Sequence, residues 1–257
     1  DWLDRPESWR SKRHRYLLTK IRQAHIESRR IYGAPRIHAE LVDQGEQVGK
    51  NTIANLMRRE QIQSKVHKRF VVTTDSRHTR KPAANVLSGD FKAARVNEKW
   101  VSDVTFIPTR KGWLYLAGIM DLYSRMIVGW SMGERNDTEL IEDALRMATT
   151  HRRDIKGVVL HSDQSVQYAS GAYQGRLNGL GIKCSMSRKG NCWDNAPMES
   201  FFHSLKTECV GFEDYKTRSE ARGSIFSYIE FFYNRKRRHS AIGYQSPMAY
   251  EKTIGDP

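Results

Sequence analysis

The chain has 257 residues, enough for one sizeable hydrophobic core with smaller appendages, and its 39% hydrophobic content is typical of a globular protein. Lys and Arg number 43 against 29 Asp and Glu, and the resulting net charge of +14 favours a nucleic-acid partner over a merely soluble basic surface. The absence of a long apolar run excludes a membrane span, and three cysteines without a C-x-x-C pair indicate a reduced, cytoplasmic protein.

The N-terminal part, residues 1–62, predicts a small helical domain. Apolar residues recur at helical spacing, loosely from Tyr16 and clearly from Pro35, and a third helix is expected to be capped by Asn51 or Thr52. A turn at Gly45 separates the last two helices, as in a helix-turn-helix domain. Three DNA-contact candidates lie on the outer side of the third helix: Lys50, Asn55 and Arg58. A purely structural three-helix domain is the alternative.

Residues 63–92 are polar and basic, and they predict a linker that follows DNA or is simply solvated. Beyond it the apolar period changes to that of strands. Three antiparallel strands are expected, followed by alternating helices and strands and a last helix over 219–234. This order predicts an α/β fold, a ribonuclease-H-like mixed sheet flanked by helices, with its core at 93–212 and a C-terminal helix and basic tail at 213–257.

Three acidic residues occupy positions suited to metal chemistry. Asp103 lies within an apolar strand, Asp163 follows a short buried strand, and Glu199 begins a helix after a glycine-containing loop, with Asp194 or Asn195 as its cap. In-line displacement at a phosphodiester is assisted by two metal ions about 3.5–4 Å apart. Carboxylates are the ligands that Mg²⁺ prefers. A bridged strand carboxylate and a helix N-terminal acid are the alternative interpretations of Asp103 and Glu199.

The acids lie in stretches that resemble the bacterial insertion-sequence transposases of the family named after insertion sequence three. These are WVSDVT at 100–105, HSDQ at 161–164, SRKGNCWDNAPMESFF at 187–202 and YN…RHSA at 233–241, with YGAPRI at 32–37. The resemblance implies a retroviral-integrase-like core in which Asp103, Asp163 and Glu199 form a DDE triad that binds two Mg²⁺ or Mn²⁺ ions. It also implies copy-out/paste-in transposition on two DNA partners, the terminal inverted repeats of the element and a target.

Further expectations follow for assembly and location. Pairing two DNA ends predicts a homo-oligomer of at least two subunits, and the family resemblance implies a bacterial, nucleoid-associated enzyme. In this family the full enzyme is usually a frameshift fusion whose upstream part binds the inverted repeats. The resemblance therefore implies that this chain is the downstream, catalytic part, and its opening on Asp1 rather than Met suggests a chain trimmed upstream.

Other candidate DNA contacts surround the triad. Lys206 lies on the same helix face as Glu199 and is expected to hold a phosphate; the family carries Lys or Arg there. Asn191 and Trp193 are candidates for terminal bases, with anchoring of the loop as the alternative for Trp193. The densest basic run predicts phosphate contacts, with a solvated helix end as the alternative: Arg235, Lys236, Arg237 and Arg238.

Two residues bear on whether the core is active. The family usually has Gly where this chain has Ser165, and a left-handed turn there would cost about 1–2 kcal/mol. Asp121 is the chief rival carboxylate, but its position before a turn suggests a capping role. The histidines of the N-terminal third have no accompanying cysteine, which argues against a zinc domain. A metal-dependent nuclease of the same fold and a non-catalytic DNA-binding protein are the alternative functions.

Overall fold

The computed structural model describes residues 6–65, 83–87, 89–187 and 195–255. The chain divides into two compact units, Asp1–Val66 and His67–Pro257, and the division falls within the predicted linker. Among the described residues, no helix is long and apolar enough to cross a membrane.

The N-terminal unit contains three helices, α1 (Trp9–Glu27), α2 (Ala34–Asp43) and α3 (Lys50–Arg59). Fully buried aliphatic side chains from all three form its core, among them Ile21, Ile37 and Ile53. The predicted cap of α3 is wrong by two or three residues. Gly49 is the N-cap, with an extended backbone and no side-chain hydrogen bond, so that Lys50 is already helical.

The larger unit is built on a five-stranded mixed sheet in the order β3-β2-β1-β4-β5. Its strands are β1 (Lys99–Thr109), β2 (Gly112–Asp121), β3 (Ile127–Gly133), β4 (Val159–Ser162) and β5 (Lys183–Met186). The first three strands form an antiparallel meander, β4 lies parallel to β1, and β5 lies parallel to β4. This is the predicted ribonuclease-H-like sheet.

Where the structure describes this unit, five α-helices accompany the sheet: α4 (Thr138–His151), α5 (Gly171–Gly179), α6 (Ala196–Glu208), α7 (Arg218–Phe226) and α8 (Pro247–Gly255). The helix predicted over 219–234 is not α-helical throughout, because α7 continues as a π-helix over Ser227–Tyr233. It is also not the last helix. The sequence signal for α8 is the pair Ser246-Pro247 at its start. Pro is favoured in the first turn of a helix, and Ser246 Oγ accepts a hydrogen bond from Ala249 N at 3.3 Å.

Two glycines set how closely helices approach the two faces of the sheet. A Cβ atom added at Gly129 would lie 2.3 Å from the Ala144 carbonyl oxygen in α4. One added at Gly118 would lie 2.4 Å from Met198 Cε in α6. Gly129 pairs with Ile119, so Gly118 faces the opposite side from Gly129, and α4 and α6 cover opposite faces.

Candidate active site

Asp103 lies in the middle of β1 and faces α6. Its partner across the antiparallel ladder is Gly118, and residues directly opposite each other share a face. Asp103 Oδ1 accepts a hydrogen bond from Val104 N at 2.7 Å. Burial raises the pKa of Asp103 well above its usual range, and the charges of Asp163 and Glu199 raise it further. The Asp163 and Glu199 carboxylates therefore lie near enough to half-buried Asp103 for their charges to disfavour its ionised form.

Asp163 reaches the same region from the neighbouring strand. It directly follows β4, whose His161 pairs with Val101 of β1, and two residues further along both chains Asp163 comes level with Asp103. Asp163 is half-buried, and its Oδ1 accepts a hydrogen bond from Ser165 N at 3.0 Å. The ladder between β1 and β4 thus brings together two acids that lie far apart in the sequence.

The backbone at Ser165 shows none of the strain considered above. Seven non-glycine residues in the described part of the chain have positive φ, and Ser165 is not among them. The turn is instead closed by the hydrogen bond from Ser165 N to the Asp163 side chain. The penalty expected for Ser in a left-handed turn therefore does not apply here, because Ser165 has no positive φ.

Glu199 lies in the first turn of α6 and is exposed. Asn195 is the N-cap residue, as predicted, but its side chain makes no capping hydrogen bond. Asn195 is buried, and its Nδ2 donates to the Ser102 carbonyl oxygen at 3.2 Å. The start of α6 is therefore attached to β1 at the residue before Asp103, a contact that the sequence did not reveal.

The three acids differ in how well their geometry and their chemistry suit a metal ion. Among the described residues, no three His, Cys, Asp or Glu side chains are grouped closely enough to hold one as they stand. The donor chemistry nevertheless fits a divalent cation, because three carboxylates with mutually unfavourable charges include two that are half-buried, Asp103 and Asp163. A cation would relieve the repulsion and the cost of burial, and Glu199 is the exposed member of the three.

Lys206 lies two turns beyond Glu199 on α6. Its Nζ lies 5.1 Å from the centroid of the Phe106 ring on β1. Burial lowers the pKa of Lys206, whereas the charge of Asp103 raises it. Lys206 therefore lies against the strand that carries Asp103, and its positive charge lowers the pKa of that carboxyl group.

The basic run after the π-helix contains residues that reach solvent and one arginine that is buried. Arg235 and Lys236 are exposed, and half-buried Arg238 donates from Nη1 to the Tyr244 carbonyl oxygen at 3.0 Å. Arg237 is only 4% exposed, and its guanidinium group binds both carboxylate oxygens of Glu208 at 2.7 and 2.5 Å. The prediction that Arg237 contacts DNA is therefore corrected: its donors are used inside the protein.

The remaining candidates lie elsewhere. Lys50, Asn55 and Arg58 are exposed on α3, where Arg58 Nη1 donates to Asn55 Oδ1 at 3.0 Å. Asn191 and Trp193 lie outside the described residues. Asp121 is fully buried and accepts hydrogen bonds from Asn97 N and Tyr123 N at 2.8 and 2.9 Å, which confirms its predicted capping role.

Asn234, directly after the π-helix, attaches that helix to the edge strand β3 through its side chain. Its side chain accepts from Ile127 N and donates to the Ile127 carbonyl oxygen, both at 3.0 Å. An amide can satisfy a backbone donor and acceptor at once, as a neighbouring strand would. The YN pair at 233–234 belongs to the stretches that carry the family resemblance, but no neighbouring residue in the sequence indicates its contact with β3.

Sheet order, helix placement and converging acids define an integrase-type core. An integrase core domain matches residues 93–192 and again 199–254, and an HTH-like domain matches residues 12–70. A simian T-cell lymphotropic virus intasome bound to the PP2A regulatory subunit B56 gamma has a similar fold, with a TM-score of 0.53 over 91% of this chain and 76% of that chain. At 13% sequence identity, this likeness shows the fold alone.

The sequence relatives are insertion-element proteins. The chain is 42% identical over 98% of its length to the "Insertion element IS600 uncharacterized 31 kDa protein" of Shigella sonnei, covering 93% of that protein. It is also 42% identical over 89% of its length to the "Transposase InsF for insertion sequence IS3A" of Escherichia coli K12, covering 79% of it. The chain belongs to this family of insertion-sequence transposases, which confirms the resemblance found in the sequence.

Proposed function

We propose that this chain cleaves DNA at the ends of an insertion element and joins the freed end to new DNA, using Asp103, Asp163 and Glu199 as its catalytic triad. The observation that carries the proposal is the placement of three acids around one end of the β1–β4 ladder: half-buried Asp103 in β1 faces the helix that carries Glu199, and Asp163 directly follows β4. Strand β1, the end of β4 and the start of α6 contribute one acid each, which supports a single site for all three.

The triad would hold divalent cations, Mg²⁺ or Mn²⁺, with two ions as our specific proposal. Bound cations supply activation of the attacking oxygen and charge stabilisation of the leaving oxygen. In the first step, water attacks a phosphodiester at the element end, and the P–O3′ bond breaks to leave a 3′-hydroxyl. In the second, that hydroxyl attacks another phosphodiester, a new P–O bond forms, and a different 3′-hydroxyl leaves with the proton.

The chain's own residues orient these steps. Asp103 and Asp163 project from adjacent strands of a hydrogen-bonded sheet, so their positions are set before substrate binds. The Asn195–Ser102 hydrogen bond holds the start of the Glu199 helix to the same strand. We propose that Lys206 binds a phosphate beside the site, where its charge would also oppose the negative charge that develops in the transition state.

Other contacts to DNA are proposed from exposure and charge. The exposed residues of α3 (Lys50, Asn55 and Arg58) would contact the element end, since the HTH-like domain includes them. Exposed Arg235 and Lys236 would bind backbone phosphates near the core, and half-buried Arg238 would lie beside them. Asn191 and Trp193 stay predictions. A synapse of two ends would need at least two copies of the chain.

The test uses the shape-preserving variants Asp103→Asn, Asp163→Asn and Glu199→Gln. Each is expected to reduce both end cleavage and joining in Mg²⁺ by at least about 100-fold, equivalent to about 2.7 kcal/mol of barrier. Glu139→Gln is the matched control, because Glu139 is likewise an exposed acid in the first turn of a helix. Undiminished activity in any triad variant would remove that residue from the proposal.

A nuclease that cuts without joining remains the second candidate, and a substrate with a pre-cleaved 3′-hydroxyl end separates the two. A joined product supports the transposase, whereas cleavage without any joined product supports the nuclease. Ser165 is the one residue that favours a non-catalytic core, and it does not adopt the left-handed backbone conformation that would strain the turn.

A further inference from the structure

Trp113 is a large aromatic residue that the fold leaves in solvent. It is the second residue of β2, directly after the hairpin turn, and 49% of it is exposed. A buried Trp contributes a large apolar area to a core, whereas about half of Trp113 stays in contact with water. In proteins that bind single-stranded nucleic acid, exposed aromatic rings are the surfaces on which bases stack.

The indole is also held in one place. Trp113 pairs with Pro108 in the ladder between β1 and β2, and its carbonyl oxygen accepts from Arg218 Nε at 3.0 Å. Its ring meets the Phe106 ring edge-on, with centroids 5.0 Å apart and planes at 81°. The hairpin turn is fixed as well, because Arg110 N donates to the Tyr215 carbonyl oxygen at 2.9 Å. A ring fixed in this way loses little entropy when a base stacks on it.

Trp113 lies at the end of a path that begins at the proposed triad. Phe106 follows Asp103 by three residues on β1, and Pro108, the ladder partner of Trp113, follows it by five, so alternation places the Phe106 and Trp113 side chains on the opposite face of the sheet from Asp103. Lys206, on the helix that covers the Asp103 face, connects the two faces because its Nζ lies over the Phe106 ring. The rise from Asp103 to Pro108 is about 17 Å at about 3.3 Å per residue, and a path that also passes from one face to the other is longer. A DNA strand rises about 3.4 Å per nucleotide, so the rise alone takes about five stacked nucleotides, or fewer extended ones.

The surroundings favour a nucleobase over an apolar protein partner. Lys111, two residues before Trp113, is exposed, and Lys206 carries positive charge beside Phe106. The apolar surface here consists of the Trp113 ring, its exposed ladder partner Pro108 and half-buried Phe106, and exposed Lys111 lies next to it. A flat aromatic face with cations on both sides suits a base and the phosphates that flank it.

We propose that Trp113 is a base-stacking subsite: its indole takes an unpaired nucleobase three to five nucleotides from the scissile phosphate, and Lys206 holds the backbone between. This inference rests on the proposed function, and it adds a contact outside the triad and outside the family motifs quoted above. Trp113 would act by positioning the strand, so that the scissile phosphate stays at the acids.

The test places the fluorescent base 2-aminopurine at successive positions of a pre-cleaved element end. With the unmodified chain, a label three to five nucleotides from the scissile phosphate is expected to lose fluorescence on stacking. Trp113→Phe should keep the quenching, and Trp113→Leu should lose it and weaken binding about 5- to 150-fold. Turnover at saturating DNA should change far less. Phe226→Leu, at a residue 43% exposed, is the matched aromatic control.

Three outcomes overturn the inference: no quenching at any position, unchanged affinity in Trp113→Leu with its unfolding midpoint intact, or a change in oligomeric state in place of DNA affinity. Trp113→Phe keeps the test valid if Trp113→Leu fails to fold. Failure of the proposed function looks different. A chain that quenches the label but neither cleaves nor joins retains the subsite and loses the activity, whereas an active chain without quenching loses only the subsite.

Discussion

Arg237 and Glu208 form the most buried ion pair described in this chain, each side chain being 5% exposed. Glu208 also accepts a hydrogen bond from Tyr228 at 2.7 Å, and Arg237 Nη2 donates to Ser204 Oγ at 3.0 Å. Ser204 and Glu208 both belong to α6, the helix that carries Glu199. The network therefore attaches the segment after the π-helix to the helix of the proposed site.

Removing one member of this pair should be costly. We expect Arg237→Met to reduce the free energy of unfolding by about 3–5 kcal/mol, because it leaves the Glu208 charge buried without its partner. Urea unfolding measures this change. Adding Glu208→Leu to Arg237→Met should recover much of the loss, since an apolar pair leaves no uncompensated charge. A loss below about 1 kcal/mol in the single variant would contradict the pairing.

Lys236→Met is the matched control for that experiment. Lys236 precedes Arg237 in the same basic run but is exposed. Its substitution should change stability by less than about 0.5 kcal/mol, as at most surface positions, while weakening DNA binding. The two neighbouring cations are thus expected to separate stability from DNA affinity.

His25 makes the N-terminal unit sensitive to pH. Its Nδ1 contacts the Tyr32 carbonyl oxygen at 3.2 Å. Burial lowers the pKa of His25, the Tyr32 hydrogen bond raises it, and Arg30 lowers it, with a net shift downward. The unfolded chain then binds the proton more readily, so stability is present above a pH of about 6.5 and lost as the pH falls below it.

The measurement compares His25→Gln with the unmodified chain. We expect the urea midpoint of the unmodified chain to fall more steeply between pH 7.5 and 5.5 than that of the variant. Taking the difference between the two proteins cancels the titration of the other histidines. Equal slopes would show that His25 contributes nothing to the pH dependence.

Among the elements, α4 and α6 approach opposite faces of the sheet across the two glycines, but the atoms they meet differ. At Gly129 an added methyl group meets backbone of α4, whereas at Gly118 it meets the flexible end of Met198. We expect Gly129→Ala to reduce the free energy of unfolding by about 1–3 kcal/mol or more, and Gly118→Ala by less, because only Met198 can move aside.

Activity should show the reverse order. Gly118 is the ladder partner of Asp103, and its methyl group would press on the helix of Glu199. Gly118→Ala is therefore expected to lower joining activity more than its effect on stability predicts. Urea unfolding and a joining assay on the same protein check both halves, and a fully active Gly118→Ala variant would show that α6 tolerates the shift.

At the scale of the whole molecule, the net charge of +14 should dominate DNA binding. Each phosphate contact contributes about 0.9 to the slope of log affinity against log salt concentration. Replacing both Arg235 and Lys236 by Gln should lower the slope by about 1.8. The control replaces two exposed cations that are not proposed contacts, Arg146 and Lys156. An equal drop in the control would mean that net charge alone, and not these positions, sets the slope.

Much of the core could be predicted because its signals are local. Alternating apolar residues around Asp103, a short apolar run before Asp163 and Pro197 in the first turn before Glu199 each specify one element from neighbouring residues. Residue chemistry likewise restricted the ligand, since three acids in a basic chain suit a cation and a polyanion. The cap of α3 was misplaced because Gly49 carries no capping side chain to recognise.

Contacts between distant residues could not be predicted in this way. The sequence placed Arg237 and Lys236 in one basic run, yet Arg237 pairs with a carboxylate 29 residues away and Lys236 stays in solvent. Asn195 similarly binds a carbonyl group 93 residues away. Composition and period establish which residues are charged and which elements form. Burial and pairing depend on how those elements pack, because the cost of an unpaired buried charge arises only once the chain has folded.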